Sequence, residues 1–583
     1  MKIPLRQYWQ LLRDYLQQQR RMLILLAVLL LLSIGLEIVN PLVLRTFIDA
    51  ATSGGALDAL TTAAITFIVI ALIQRTLSVL ATYVGSSIGW NATNELRADL
   101  ARHCLKLDMT FHNTRTPGEL IERIDGDVTA LTNFFSQFVI RVAGNLLLLF
   151  GVLIVLYAQD WRIGVALTVF ALIALVVLMR LRWIGVPRWR KVRQLSAEYY
   201  GALGERLAGT EDIRSSGAVG YVMHRYYTHL RNWFKPMISA SVIGGAGMFA
   251  GVSTTFTIGM ASAFVVGAWL YRQGAITIGT VYLIFFYTEM IRQPIEQIMR
   301  QLEDLSRASA SIGRIRDLLA IESKIPPVTE PIDLPRGPLA VKFDGVSFSY
   351  SDAEPVLTDI SFQLPAGQVL GVLGRTGSGK TTLARLLLRL YDVQDGEICL
   401  ENRPITTVRE QDLRQRVGMI TQDVQLFHAS VRDNLTFFEP DIPDEVLINQ
   451  LKDLGLWPRI SALPDGLNTE LASGGRGLSA GEAQLLTCAR LFLRDPGLVI
   501  MDEASARLDP ATEHLIEEAI DRLLTNRTGI IIAHRLKTVL RADRILILDD
   551  GHIVEDGERE TLMRDTKSRF YQLLQTGLEE VLA

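Results

Sequence analysis

The pattern of apolar and polar positions changes character past the middle of the chain. Up to about residue 290 the apolar positions gather in six long stretches, at 22–43, 60–84, 134–157, 163–179, 242–270 and 276–290. Each is near the roughly 20 residues that a bilayer-spanning helix needs, which predicts six membrane spans. The polar stretches 86–133 and 181–241 keep helical apolar spacing. Each is read as two helices that extend neighbouring spans and are joined by a short turn. Residues 8–19 are amphipathic and predict an interfacial helix ahead of the first span. Beyond residue 340 the runs shorten. The apolar segments 369–373 and 497–501 predict buried strands of an α/β sheet. Between the two patterns, 320–340 carries Pro326, Pro327, Pro331, Pro335 and Pro338, a density that opposes helix and sheet and favours an extended connector. The predicted order is an interfacial segment (1–21), a transmembrane domain (22–319), a linker (320–340) and an α/β domain (341–583).

Charge sharpens the division. Residues 1–320 hold 31 Lys and Arg against 21 Asp and Glu, a net of +10, and the remainder holds 28 against 41, a net of −13. The whole-chain value of −3 argues against a nucleic-acid binder working by bulk charge. An apolar fraction of 49% excludes a disordered chain. Three cysteines (Cys104, Cys399, Cys488) cannot staple 583 residues and point to reducing surroundings. Lys and Arg crowd the segment before the first span and the stretch 181–241, and are absent from 49–59. By the positive-inside rule both termini and the second half face the cytoplasm, across a cytoplasmic membrane. With about 21 residues ahead of the first span, no N-terminal peptidase domain is expected.

The chemistry lies in the second half. The run 369–373 leads into Gly374, Arg375, Thr376, Gly377, Ser378, Gly379, Lys380, Thr381 and Thr382. This fits G-x-x-x-x-G-K-[ST], in which a Gly-rich loop aims backbone N–H groups at phosphates and the Lys neutralises them. The Thr381 hydroxyl is placed to hold Mg²⁺, and a helix starting near Thr382 turns its positive end to the phosphates. The run 497–501 ends in Asp502 and Glu503. A carboxylate there can complete the Mg²⁺ shell, and the next can polarise a water aimed at the γ-phosphate of ATP.

With these motifs in this order, the second half resembles the nucleotide-binding domain of ABC transporters. The whole chain is similar to an ABC exporter half-transporter of the multidrug or lipid type. The resemblance implies a membrane α-helical bundle joined to an α/β P-loop ATPase, with ATP as substrate and Mg²⁺ as cofactor. It assigns Tyr350 to the adenine, Gln422 to Mg²⁺ and the membrane domain, His534 to the γ-phosphate, and Asp509 to the dimer-interface loop. It also implies that 111–128 and 205–214 rest on ATPase domains and transmit their motion.

Two segments depart from the family pattern. Leu478-Ser479-Ala480-Gly481-Glu482 stands where L-S-G-G-Q caps the γ-phosphate held by the opposite subunit. Ser479 and Gly481 keep the hydroxyl and the close approach. Ala480 adds a methyl and restricts φ, and Glu482 brings an anion toward a triphosphate. Ser505-Ala506-Arg507-Leu508-Asp509 replaces T-S-A-L-D. An intact P-loop beside an altered signature implies a heterodimer with a second half-transporter, the alternative being a homodimer. The substrate is expected to be amphiphilic. An exporter-like siderophore importer and an ATP-gated channel are the rival functions. Glu37, Arg75, Arg141 and Glu289, within or beside apolar spans, are either functional or paired.

Overall fold

The computed structural model describes residues 15–137, 142–350, 354–421, 424–439, 441–472, 477–502, 510–533 and 536–576. The interfacial helix read at 8–19 lies largely outside them, as do Arg141, Gln422, Glu503, Asp509 and His534. The chain forms two compact units, one of Met1–Leu105 with Pro117–Ile321 and one of Lys106–Thr116 with Glu322–Ala583.

The first unit is helical. Arg20–Thr52, Leu57–Lys106, Trp161–Ala208 and the continuous helix 219–272 are long and apolar enough to cross a membrane. Gly144–Gln159 is a shorter apolar helix, and Asp127–Gln137 precedes it in the chain. The sixth apolar stretch opens the helix Ile278–Leu319 but does not reach the same apolar length. Glu289, Arg292 and Glu296 interrupt it, with Arg292 Nη1 at 3.4 Å from Glu289 and Nε at 3.0 Å from Glu296. Glu289 is therefore a paired residue. Gln74 Nε2 donates to Glu37 Oε2 at 3.5 Å, and Arg75 is exposed on its helix.

Leu148, Leu156, Ile163, Leu167, Phe256, Leu283 and Tyr287 form the interior of this unit. Ile65, Leu72, Phe150, Ile154, Leu172 and Val265 point outward, the arrangement expected where the solvent is hydrocarbon. In such a solvent a helix satisfies every backbone group internally. The extensions predicted for 86–133 and 181–241 are present as the ends of Leu57–Lys106 and Trp161–Ala208 and as Val219–Ser239. The last runs through a π-helical segment, Ala240–Ala246, into Gly247–Arg272.

The second unit is built on two sheets. Strands β1 (Val341–Phe348), β2 (Leu357–Leu364), β4 (Asp395–Leu400) and β5 (Arg403–Pro404) form an antiparallel sheet in the order β2-β1-β4-β5. The larger sheet runs β10-β9-β3-β8-β7-β6, with β3 Val369–Gly374, β6 Val417–Ile420, β7 Leu498–Asp502, β8 Thr528–Ile532, β9 Arg544–Asp549 and β10 His552–Glu558. All but β10 are parallel. Every residue of β3, β7 and β8 is buried. These strands read as unbroken apolar runs because helices cover both faces of a parallel sheet. A separate helical cluster holds Trp457–Ser461 and Ala480–Arg494 around Leu456, Ile460, Leu485 and Leu486.

Candidate ATP site

Strand order brings the site together. β3 and β7 both pair with β8, so the C-terminal ends of β3 and β7 lie one strand apart. Ligands of open α/β sheets bind at those ends. Beyond β3 the loop turns on glycines. Gly377 has φ +88° and Gly379 φ +99°, and a Cβ on Gly379 would meet Leu357 Cδ2 at 2.5 Å and the Val356 carbonyl at 3.1 Å. The helix that follows is Lys380–Leu387, so it starts two residues earlier than its sequence predicts. Its first-turn N–H groups stand at the loop, where the macrodipole favours an anion.

Lys380 is buried, and its Nζ donates to the carbonyls of Gly374 at 2.6 Å and Arg375 at 2.8 Å. Held there, its ammonium places a positive charge at the loop, where it opposes the charge of a phosphate. Thr381 Oγ1 donates to Asp502 Oδ2 at 3.0 Å, and Asp502 is itself buried. A hydroxyl and a carboxylate side by side suit a hard cation that takes oxygen ligands. Mg²⁺ usually takes one or two protein oxygens and completes its shell with phosphates and water. Ser378 is tucked beneath the loop, its Oγ without a hydrogen-bond partner among the described residues.

Tyr350 reaches the same helix. Its hydroxyl lies 3.1 Å from Thr382 Oγ1 and accepts from Arg385 Nη1 at 3.2 Å. Its ring meets Tyr391 edge-on, with centroids 5.1 Å apart. Tyr391 in turn accepts from Asn113 Nδ2 at 2.5 Å. Asn113 ends the short helix Met109–Asn113, which belongs to the ATPase-bearing unit. Asp108 caps that helix, accepting from Thr110 N at 2.8 Å, and also from Lys324 N at 2.6 Å. Burial pushes the Asp108 carboxyl up, but the N–H groups of Lys324, Thr110 and Phe111 outweigh it and hold the carboxyl below its usual range. The segment read at 111–128 is divided between the two units. Lys106–Thr116 packs with the ATPase unit, whereas Glu119 pairs with Arg123 and the buried Asp127 pairs with Arg314 in the helical unit. Thr210–Ser215, which overlaps the second segment, is a short helix of the helical unit.

At the other end of the domain, Ser479 caps the helix Ala480–Arg494. Ser479 Oγ accepts from Glu482 N at 3.2 Å while Glu482 Oε2 accepts from Ser479 N at 2.6 Å, a reciprocal capping box. Two sequence expectations change here. Ala480 is the first helical residue and has no positive φ, so its backbone carries no strain from the missing glycine. Glu482 is folded onto its own helix end and is ion-paired with Arg459 at 3.2 Å. Gly481 is buried beneath them. Asn113, Tyr391, Arg385 and Arg459 belong to no motif, and only Asp108 carried a signal, an Asp at a helix start.

Residues 23–295 match the ABC transporter transmembrane region, and residues 357–506 match the ABC transporter family. The chain is also 30% identical over 571 residues to the uncharacterized ABC transporter ATP-binding protein YknV of Bacillus subtilis, covering 96% of this chain and 92% of that one. The chain belongs to the ABC transporter family. It is 29% identical to the ATP-dependent lipid A-core flippase of Alcanivorax borkumensis, over 82% of this chain and 83% of that protein. Its fold matches the structure of a bacterial Atm1-family ABC exporter with ATP bound, with a TM-score of 0.78, 25% identity and coverage of 96% of this chain and 98% of that chain. The chain is thus a multi-pass membrane protein whose ATP hydrolase domain is coupled to transport.

Proposed function

We propose that this chain is one subunit of a dimeric exporter that moves an amphiphilic substrate across the cytoplasmic membrane by alternating access, its termini and ATPase domain on the cytoplasmic side. The observation that carries the proposal is the Lys380–Thr381–Asp502 constellation, in one chain with the apolar helices. Gly374, Arg375, Thr376, Gly377, Ser378 and Gly379 cradle the phosphates, with Lys380 and the helix start opposing their charge. Tyr350 supports the adenine. Thr381, Asp502 and Gln422 would hold Mg²⁺, which offsets negative charge on the β- and γ-phosphates when bound. Glu503 polarises the attacking water, and His534 contacts the γ-phosphate. Ser479 and Gly481 of one subunit meet the ATP held by the other, beside Asp509. Met109–Asn113 passes the motion toward the membrane helices through Asn113, Tyr391 and Tyr350.

An unlike second half-transporter is supported by the exposed methyl of Ala480 and by Arg507 in the interface loop. The reading with two identical chains is favoured by the Arg459–Glu482 pair, which neutralises the anion that seemed to impair the signature. Two measurements test these readings. Sealed vesicles carrying the transporter should accumulate a labelled amphiphile against its gradient, dependent on ATP and on Glu503; passive equilibration would make it a channel. The chain purified alone should show little ATPase if it needs an unlike partner. Robust cooperative turnover would establish the homodimer.

A further inference from the structure

The end of the ATPase domain that carries Ser479 contains a contradiction. A helix start with free N–H groups attracts an anion. In this chain the third helical residue, Glu482, is itself an anion at that same place. Left unpaired, its carboxylate would oppose an approaching phosphate.

The structure resolves the conflict with one side chain. Arg459 Nε lies 3.2 Å from Glu482 Oε1. Its Nη2 donates to the carbonyl of Gly477 at 2.7 Å. One guanidinium therefore holds the segment on both sides of Ser479, through the residue two before it and the residue three after it. A planar fork of fixed donors suits such a double hold better than a single ammonium would. Arg459 is itself well placed to act. It sits on the short helix Trp457–Ser461, between the buried Leu456 and Ile460. The helix it steadies is anchored by Leu485 and Leu486 in the same apolar cluster.

The Ser479 hydroxyl is left in a useful state. Its oxygen accepts the Glu482 N–H at 3.2 Å. A hydroxyl has one donor and two acceptor positions, so capping the helix leaves its O–H free to donate to a phosphate oxygen. The carboxylate of Glu482 is drawn the other way, onto Ser479 N and Arg459.

We propose that Arg459 is a positioning residue for ATP hydrolysis: it neutralises Glu482 and holds it in the capping box, so that Ser479 meets the partner-bound triphosphate without an opposing charge. This rests on the reading that Ser479 completes an ATP site in the dimer.

The test uses the transporter purified from the cells that make it, through a tag on this chain, so that any second subunit comes with it. ATPase is measured against MgATP concentration for the native protein, Arg459→Ala, Glu482→Gln and the double variant. Arg459→Ala should raise KM for MgATP about fivefold or more with a smaller change in kcat. Added KCl should shrink that defect, because the repulsion is between charges and salt screens it. Glu482→Gln should stay within about twofold of native, and the double variant should return close to Glu482→Gln. Arg459→Lys should fall between native and Arg459→Ala. Equal losses from Arg459→Ala with and without Glu482→Gln, or a loss indifferent to salt, would show that Arg459 merely supports the fold. Full native activity of Arg459→Ala would also overturn the proposal. Ser479→Tyr separates the two levels: if it leaves turnover intact, the signature reading itself fails.

Discussion

The P-loop and the Ser479 helix start, the two places where we propose that the ATPase domain meets nucleotide, are built in opposite ways. At the P-loop end the working groups are buried or half-buried, and each is tied to a neighbour in the same chain: Lys380 to two loop carbonyls, Thr381 to Asp502, Tyr350 to Thr382. At the Ser479 end Ser479 and Ala480 are exposed, and the charge beside them is balanced by a partly exposed ion pair. Exposed pairs contribute about 0–1 kcal/mol to stability. What such a pair can do is fix a direction and cancel a charge. On the proposed reading, the contrast teaches that half of the site is finished in the single chain, and that the other half is a prepared surface.

Changes on the finished side should cost most. Glu503→Gln should lower ATP turnover by on the order of 10²–10⁴-fold, as expected when a general base is lost, while binding of ATP stays near native. Turnover close to native would remove Glu503 from the mechanism and leave the P-loop end a binding site alone.

Asp108→Ala lies one step away, at the start of the helix whose Asn113 touches Tyr391. Loss of an N-cap should cost roughly 0.5–2 kcal/mol, read as a lower thermal midpoint of the ATPase domain. The sign of its pH dependence follows from a folded-state pKa below the unfolded one. Its stabilisation is present above the unfolded value and lost as pH falls through the folded one. The gap between native and variant should thus be widest at neutral pH and close below about pH 4. A gap that widens on acidification would mean that the Lys324 and Thr110 N–H bonds do not govern this carboxyl.

The smallest effect belongs to the prepared surface. Ala480→Gly should lower stability by less than about 1 kcal/mol, because the residue is helical and glycine is the poorer helix former. If it also raises turnover several-fold, the methyl obstructs the partner's nucleotide and the case for an unlike subunit strengthens.

The same contrast explains what was legible in the sequence. The P-loop and Asp502 could be found because a strand, a loop and a helix start follow one another at fixed spacing, and a buried strand end delivers its carboxylate beside them. Arg459, Tyr391 and Asn113 could not be found that way. Asn113 and Tyr391 stand 278 positions apart, and nothing local announces their meeting. Glu482 shows the same limit: its charge is visible in the sequence, but the guanidinium 23 positions earlier that pairs with it is not. Among the membrane helices, hydropathy located the apolar stretches well but fell short for Ile278–Leu319, where an ion-pair ladder interrupts the apolar run.

The π-helical segment Ala240–Ala246 has a consequence for how this chain can change over time. A π turn holds more residues than an α turn, so the segment contains spare length. Deleting one residue from Gly247–Arg272 would rotate everything beyond it by about 100°, carrying Phe256, Ala263 and Leu270 out of the interior they fill. The same deletion within Ala240–Ala246 can be absorbed by tightening the turn to α, with the later side chains kept in place. The helix carries its own expansion joint, and the loss of one residue should be tolerated there and rejected within Gly247–Arg272.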